Sequence, residues 1–130
     1  MILPVTLTAC AAAALIGLWL TIRAGTLRRR LGIAHGDGGN DALLRRMRAQ
    51  LNFAENTPFA LLLIAVIEIS GKGGEWLTYA AGLFMLGRVA HALGMDSAEP
   101  SAPRTAGAAI TMLTLLGLAI YAVLIAARIV

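Results

Sequence analysis

The amino-acid sequence predicts an all-α membrane protein, a bundle of four transmembrane helices forming one domain over 1–130. Three observations lead there. First, 58% of the 130 residues are hydrophobic and the mean hydropathy is +0.77, whereas a soluble domain is about 45–50% apolar. Second, the apolar residues fall into four runs, at about 2–22, 50–70, 76–93 and 105–127, each close to the ~20 residues needed to cross a bilayer core. Third, the basic residues collect on one side of those runs.

The first run, Ile2 to Ile22, has no charged side chain, and Pro4 stands at its start, where a helix tolerates proline. Ala13 and Gly17 form a small-xxx-small pair that allows a second helix to approach closely. Leu7-Thr8-Ala9-Cys10 has the look of a lipoprotein cleavage box, but no basic segment precedes it and the apolar run continues past it. An uncleaved first span is the better reading, with Cys10 packed or facing lipid. As the single cysteine, Cys10 forms no intramolecular disulfide.

Arg23 to Asn40 reads as a loop carrying Arg23, Arg28, Arg29 and Arg30, followed by a glycine-rich tract in which Asn40 or Asp41 can cap the next helix. No Lys-Ser/Thr follows those glycines, so the tract is not a phosphate loop. A helical pattern then runs from Asp41 to Ser70, about 45 Å at 1.5 Å per residue. Its second half is apolar, whereas its first half carries Arg45, Arg46, Arg48, Asn52 and Glu55. The third run, from Glu75 to about Leu93, opens with the interfacial aromatics Trp76 and Tyr79 and closes on Arg88 and His91. A polar connection over 96–103 leads into the fourth run, which starts near Arg104.

With four spans, the first and third connections share a side. That side holds Arg23, Arg28, Arg29, Arg30, Arg45, Arg46, Arg48, Arg88 and Arg104, and the other holds only Lys72 and Arg128. The positive-inside rule places the arginine-rich side in the cytoplasm and both termini outside. The same distribution explains the net charge of +4 without nucleic acid, which would require a basic face on a soluble scaffold. No metal site is indicated, because two histidines and one cysteine lie scattered without ligand spacing.

Chemistry concentrates on the second helix. At about 100° per residue, Asn52 lies about 40° to one side of Arg48 and Glu55 about 20° to the other. Phe59 and Leu62 continue this face, while Glu68 falls on the back, towards the outer interface. An arginine, an amide and a carboxylate on one face of a membrane helix are expensive against lipid, at about 2.5–3.5 kcal/mol per charge. They form either a network that holds the bundle together or a polar ligand pocket.

Arg48-Ala49-Gln50-Leu51-Asn52-Phe53-Ala54-Glu55-Asn56-Thr57-Pro58 resembles the R-x-x-x-N-x-x-E-x-x-P signature of the MAPEG family, membrane-associated proteins in eicosanoid and glutathione metabolism. Gly36-Asp37-Gly38-Gly39-Asn40 resembles the loop before the signature in bacterial members, and Gly87-Arg88-Val89-Ala90-His91-Ala92 the end of their third span. The resemblance implies a left-handed four-helix bundle, a homotrimer in the bacterial inner membrane, and a glutathione site between subunits near the cytoplasmic face. It carries glutathione binding over to Arg48, Asn52 and Glu55, with Arg88 and His91 near them. Thiolate stabilisation falls to Arg104, at the start of the fourth span, or to Arg23, at the end of the first.

The expected activity is that of a transferase or peroxidase, with glutathione as co-substrate and a lipophilic electrophile or lipid hydroperoxide as partner. The alternative is a non-catalytic member binding another anionic ligand or a lipid. Two departures bear on that choice. Asn56 stands where many members have tyrosine after the signature glutamate, and no tyrosine lies near Arg88. A four-span drug exporter ranks last, since the first run lacks an acidic residue. Arg88 is expected to pair with Glu55 or Asp37 inside the bundle.

Overall fold

A computed structural model describes residues 2–130. Met1, the first residue of the expected domain, lies outside the described residues. The chain forms four α-helices: α1 (Pro4–Leu31), α2 (Asp41–Ile69), α3 (Gly74–Gly94) and α4 (Ala102–Ala126). No strand occurs among the described residues.

The largest departure from the sequence reading is in α1. The helix does not end at Ile22 but continues through Arg23, Arg28, Arg29 and Arg30 to Leu31. Nothing before Gly32 breaks it, and three arginines in the last turn complement the negative end of the helix dipole. Gly32 ends it in the left-handed region at φ 67°. Its N–H donates to Arg29 O at 3.2 Å and that of Ile33 to Arg28 O at 3.1 Å, a Schellman pairing. At 28 residues the helix is about 42 Å long, so its arginine-bearing turns extend beyond a ~30 Å core.

Asn40 caps α2, its Oδ1 accepting from Leu43 N at 2.9 Å. The helix runs on through Pro58. At its far end Glu68 accepts from Val5 N at 2.9 Å, Thr6 N at 2.8 Å and Thr6 Oγ1 at 2.7 Å. Leu3 offers no side-chain cap and Pro4 has no N–H, so a carboxylate from another helix satisfies the first free amides of α1. Glu68, on the back of α2 relative to Arg48, thus faces the first turn of α1.

Every pair of helices packs together except α1 with α4, which stand at opposite corners. The core runs from Leu20, Ala49 and Ala92 at one end to Ala60, Ile64, Phe84 and Leu118 beyond. Meanwhile Leu18, Phe59, Leu62, Leu116 and Val123 lie exposed on the outside. Buried polar groups occur inside, with Arg88 only 2% and His91 6% exposed. An apolar exterior around polar interior groups is the arrangement a bilayer demands.

Three helices, α1, α2 and α4, are long and apolar enough to cross a membrane. The polarity of α3 comes from Arg88 and His91, which its packing hides. Cys10 is exposed on α1. Trp76 meets the Tyr121 ring edge-on with centroids 4.9 Å apart, and the Tyr121 hydroxyl donates to Lys72 O at 3.1 Å.

Candidate functional site

At the arginine-rich end of the bundle, α2, α3 and α4 enclose a cavity of about 300 Å³, at the lower end of the ~300–1,000 Å³ typical of ligand sites. One wall is the α2 face predicted from spacing: Arg48, Asn52 and Glu55, with Leu51 beside them. The opposite wall is His91 and Met95 at the end of α3, and Arg104 from the start of α4 closes the top. Arg48, Glu55 and Arg104 are exposed, whereas His91 is buried. The site therefore opens outwards from the subunit.

Two glycines bring Arg104 there. A Cβ on Gly94 would overlap the backbone of Arg104, and one on Gly107 would overlap Gly87 O and the His91 backbone. Backbone contact between α3 and α4 at these points presses the first turn of α4 against the end of α3. The Ser101 hydroxyl donates to Gly94 O at 2.8 Å across the connection.

Arg88 lies behind the cavity and does not line it. Its Nη1 donates to Asn52 Oδ1 at 2.6 Å and its Nη2 to Gly107 O at 3.4 Å, while Nε has no partner. The expected pairing with Glu55 or Asp37 is therefore corrected: Asp37 accepts instead from Gly39 N at 2.9 Å, closing its own loop. Arg88 does point into the bundle, but the amide of Asn52, one turn before Glu55, is the group within its reach. Asn52 is thus fixed from behind, and the Asn56 side chain donates to its carbonyl at 2.8 Å.

Arg23 is not at the cavity. Its guanidinium pairs with Asp96, on the α3–α4 connection, and stacks 4.7 Å over the Trp19 ring. Arg46 approaches the same carboxylate at 3.8 Å and donates to Arg23 O at 3.0 Å. These are the ion pairs among the described residues. Among the described residues, Arg48, Arg88 and Arg104 therefore have no carboxylate partner and Glu55 has no cation. The cavity therefore carries two uncompensated guanidinium groups, Arg48 on its α2 wall and Arg104 at its mouth, together with the Glu55 carboxylate on the same α2 wall. No group of three or more histidines, cysteines or carboxylates able to hold a metal occurs among the described residues.

Five of the predicted site residues, Arg48, Asn52, Glu55, His91 and Arg104, meet at this cavity. Met95, Gly94 and Gly107 escaped sequence reading. Each acts through a contact between helices and leaves no periodic signal of its own.

The MAPEG family model matches residues 6–124. Inner membrane protein YecN of Escherichia coli (strain K12) is 33% identical over 69 residues, and the protein of that name from a second E. coli strain matches equally. Each alignment covers 52% of this chain and 52% of the relative, so the chain spans about half the length of the curated relatives it matches. The family match runs through all four helices, including the α2 face and the Arg104 turn, and the chain belongs to the MAPEG family.

Proposed function

We propose that this protein is a glutathione-dependent transferase or peroxidase of the bacterial inner membrane, acting on lipophilic electrophiles or lipid hydroperoxides. The single observation carrying this reading is the cavity itself: two lining arginines, Arg48 and Arg104, without carboxylate partners and one carboxylate, Glu55, without a cation among the described residues. Glutathione offers the complement, two carboxylates and one ammonium. A guanidinium fork suits a carboxylate, and Glu55 suits the amine. Arg104, at the mouth, is the cation for the sulfur. A free thiol near pKa 8.5 is mostly protonated at neutral pH, and a neighbouring cation favours the nucleophilic thiolate. In transfer, the thiolate sulfur bonds to the electrophilic carbon and displaces its leaving group or opens its ring or double bond.

All four helices cross the membrane in this reading, α3 with Arg88 and His91 turned inwards, and the arginine-rich end lies in the cytoplasm. Assembly is trimeric. Support for a shared site comes from the exposure of Arg48, Glu55 and Arg104 and from Phe59 and Leu62, each 63% exposed further along the same α2 face. A neighbouring copy would cover that face and complete the cavity.

A second reading, a non-catalytic member that binds another anionic ligand or lipid, draws on Asn56, which binds its own helix where many members carry tyrosine. Calorimetric titration of glutathione into detergent-purified protein separates the two. Saturable binding that Arg48→Ala weakens at least tenfold is expected. No binding at millimolar glutathione, by protein that still runs as one folded oligomer, would remove the enzyme reading. Glu55→Gln adds to this: lost thiol binding with an intact oligomer favours the enzyme, and a collapsed oligomer favours a structural role.

A further inference from the structure

Arg88 stands behind the proposed thiol cavity and not in its lining, yet it decides what one of the lining groups can do. Its Nη1 donates to the Asn52 side chain at 2.6 Å and its Nη2 to Gly107 O at 3.4 Å. A guanidinium carries donors alone, whereas a side-chain amide has an oxygen that accepts and a nitrogen that donates twice. The atom turned to Arg88 is therefore the oxygen, and the amide nitrogen points the other way. With the amide reversed, two donors would meet in the interior. Arg88, 2% exposed, would then keep only the Gly107 carbonyl.

Asn52 lines the cavity. Its Nδ2 donates to no group among the described residues and is not sealed in the interior, so it is open to the cavity. Asn56, one turn on, does not take its place, because its side-chain amide is engaged with Asn52 O at 2.8 Å. Along α2 the face then reads Arg48, Asn52, Glu55: donor, donor, acceptor, with a rise of about 6 Å and then about 4.5 Å between them. A reversed amide would put an acceptor in the middle, against the carboxylate or carbonyl oxygens that the arginines draw in.

We propose that Arg88 is a positioning residue: it holds the Asn52 amide so that its N–H groups face the cavity and donate to a carboxylate or carbonyl oxygen of the bound ligand. Donors fixed in advance need no reorganisation when the ligand arrives. Glutathione as that ligand rests on the function proposed above, whereas the orientation of the amide does not. A merely structural Arg88 would tie α3 to α2 and α4 and leave ligand affinity indifferent to which end of the amide faces the cavity.

The chain has three asparagines, Asn40, Asn52 and Asn56. Labelling their side chains with nitrogen-15 therefore yields three NH2 pairs in a magnetic-resonance spectrum of the detergent-purified full chain, and Asn52→Asp identifies its own by loss. Without ligand, the Asn52 pair should exchange with water, because it faces an open cavity. Glutathione should shift that pair saturably and leave the Asn40 pair, at the cap of α2, unmoved. Arg88→Met should shift or double the Asn52 pair before any ligand is added. It should also weaken glutathione binding about tenfold, the contribution of one hydrogen bond to a charged group. Arg88→Lys should bring affinity back to within about threefold of wild type although Tm stays lower, since one donor orients the amide without spanning both acceptors. A wild-type Asn52 pair closed to water would overturn the proposal whether or not glutathione binds. Calorimetric binding that leaves the pair unmoved, or unchanged affinity in Arg88→Met, would overturn it and leave the enzyme reading standing. Failure of the wild type to bind glutathione would instead remove the enzyme reading, with water exchange still deciding the amide.

Discussion

The Arg88 guanidinium on α3 donates to the Asn52 side-chain oxygen on α2 at 2.6 Å, in the interior of the bundle. Arg88 is 2% exposed and has no carboxylate partner, so this amide and the Gly107 carbonyl are its only acceptors among the described residues. Hydrogen bonds to charged groups contribute about 1.5–3 kcal/mol. Asn52→Ala should therefore lower stability by about 2–3 kcal/mol, read as a fall in Tm in detergent. A shift below about 0.5 kcal/mol would mean that Arg88 finds another acceptor. Arg88→Lys should not rescue the wild-type Tm, because an ammonium lacks the fork that spans both acceptors.

The α3–α4 seam is equally exposed to test. Gly107→Ala places a methyl against Gly87 O and the His91 backbone, and overpacking of this kind costs about 1–3 kcal/mol. It should also displace Arg104 and weaken glutathione binding. Gly82→Ala is the control: a Cβ there meets nothing within 4 Å, and replacing a helical glycine gains up to about 1 kcal/mol. Equal Tm values for the two variants would contradict the seam.

At the other end, Glu68→Ala should fray the start of α1. The Val5 and Thr6 amides lose their acceptor, and loss of a helix cap costs about 1 kcal/mol. Hydrogen exchange should quicken over the first turn of α1 and stay unchanged around Asn52. Unaltered exchange at the first turn would show that solvent or lipid replaces the carboxylate.

Arg23 and Arg104 separate by position. Arg104→Ala should reduce glutathione-dependent turnover at least tenfold, since Arg104 lines the cavity. Arg23→Ala should change it less than threefold, because its guanidinium is engaged by Asp96 and Trp19. The Arg23–Asp96 pair is partly exposed, so its loss should cost no more than about 1 kcal/mol and less in high salt. The reverse ranking of the two variants would move the catalytic arginine to α1.

Much of this protein is written in its local sequence. Apolar runs and the arginines between them define a helical membrane bundle, because the ~30 Å hydrocarbon core imposes a length and a charge boundary that any window of sequence displays. The shared face of Arg48, Asn52 and Glu55 follows from helical periodicity alone. The helix ends were less legible. Arginines read as a loop continue α1 to Leu31, since charge marks where a chain leaves the lipid and only Gly32, at φ 67°, marks where the helix stops.

What only the tertiary structure decided is which groups meet between helices. Arg88 found Asn52 rather than Glu55, Glu68 turned to the amides of Val5 and Thr6, and Arg23 went to Asp96 while Arg104 reached the cavity. Those outcomes depend on how closely two backbones approach, and at Gly94 and Gly107 that distance is set by the absence of a side chain. A missing Cβ has no period and no charge, so it acts only when another helix arrives to use the space.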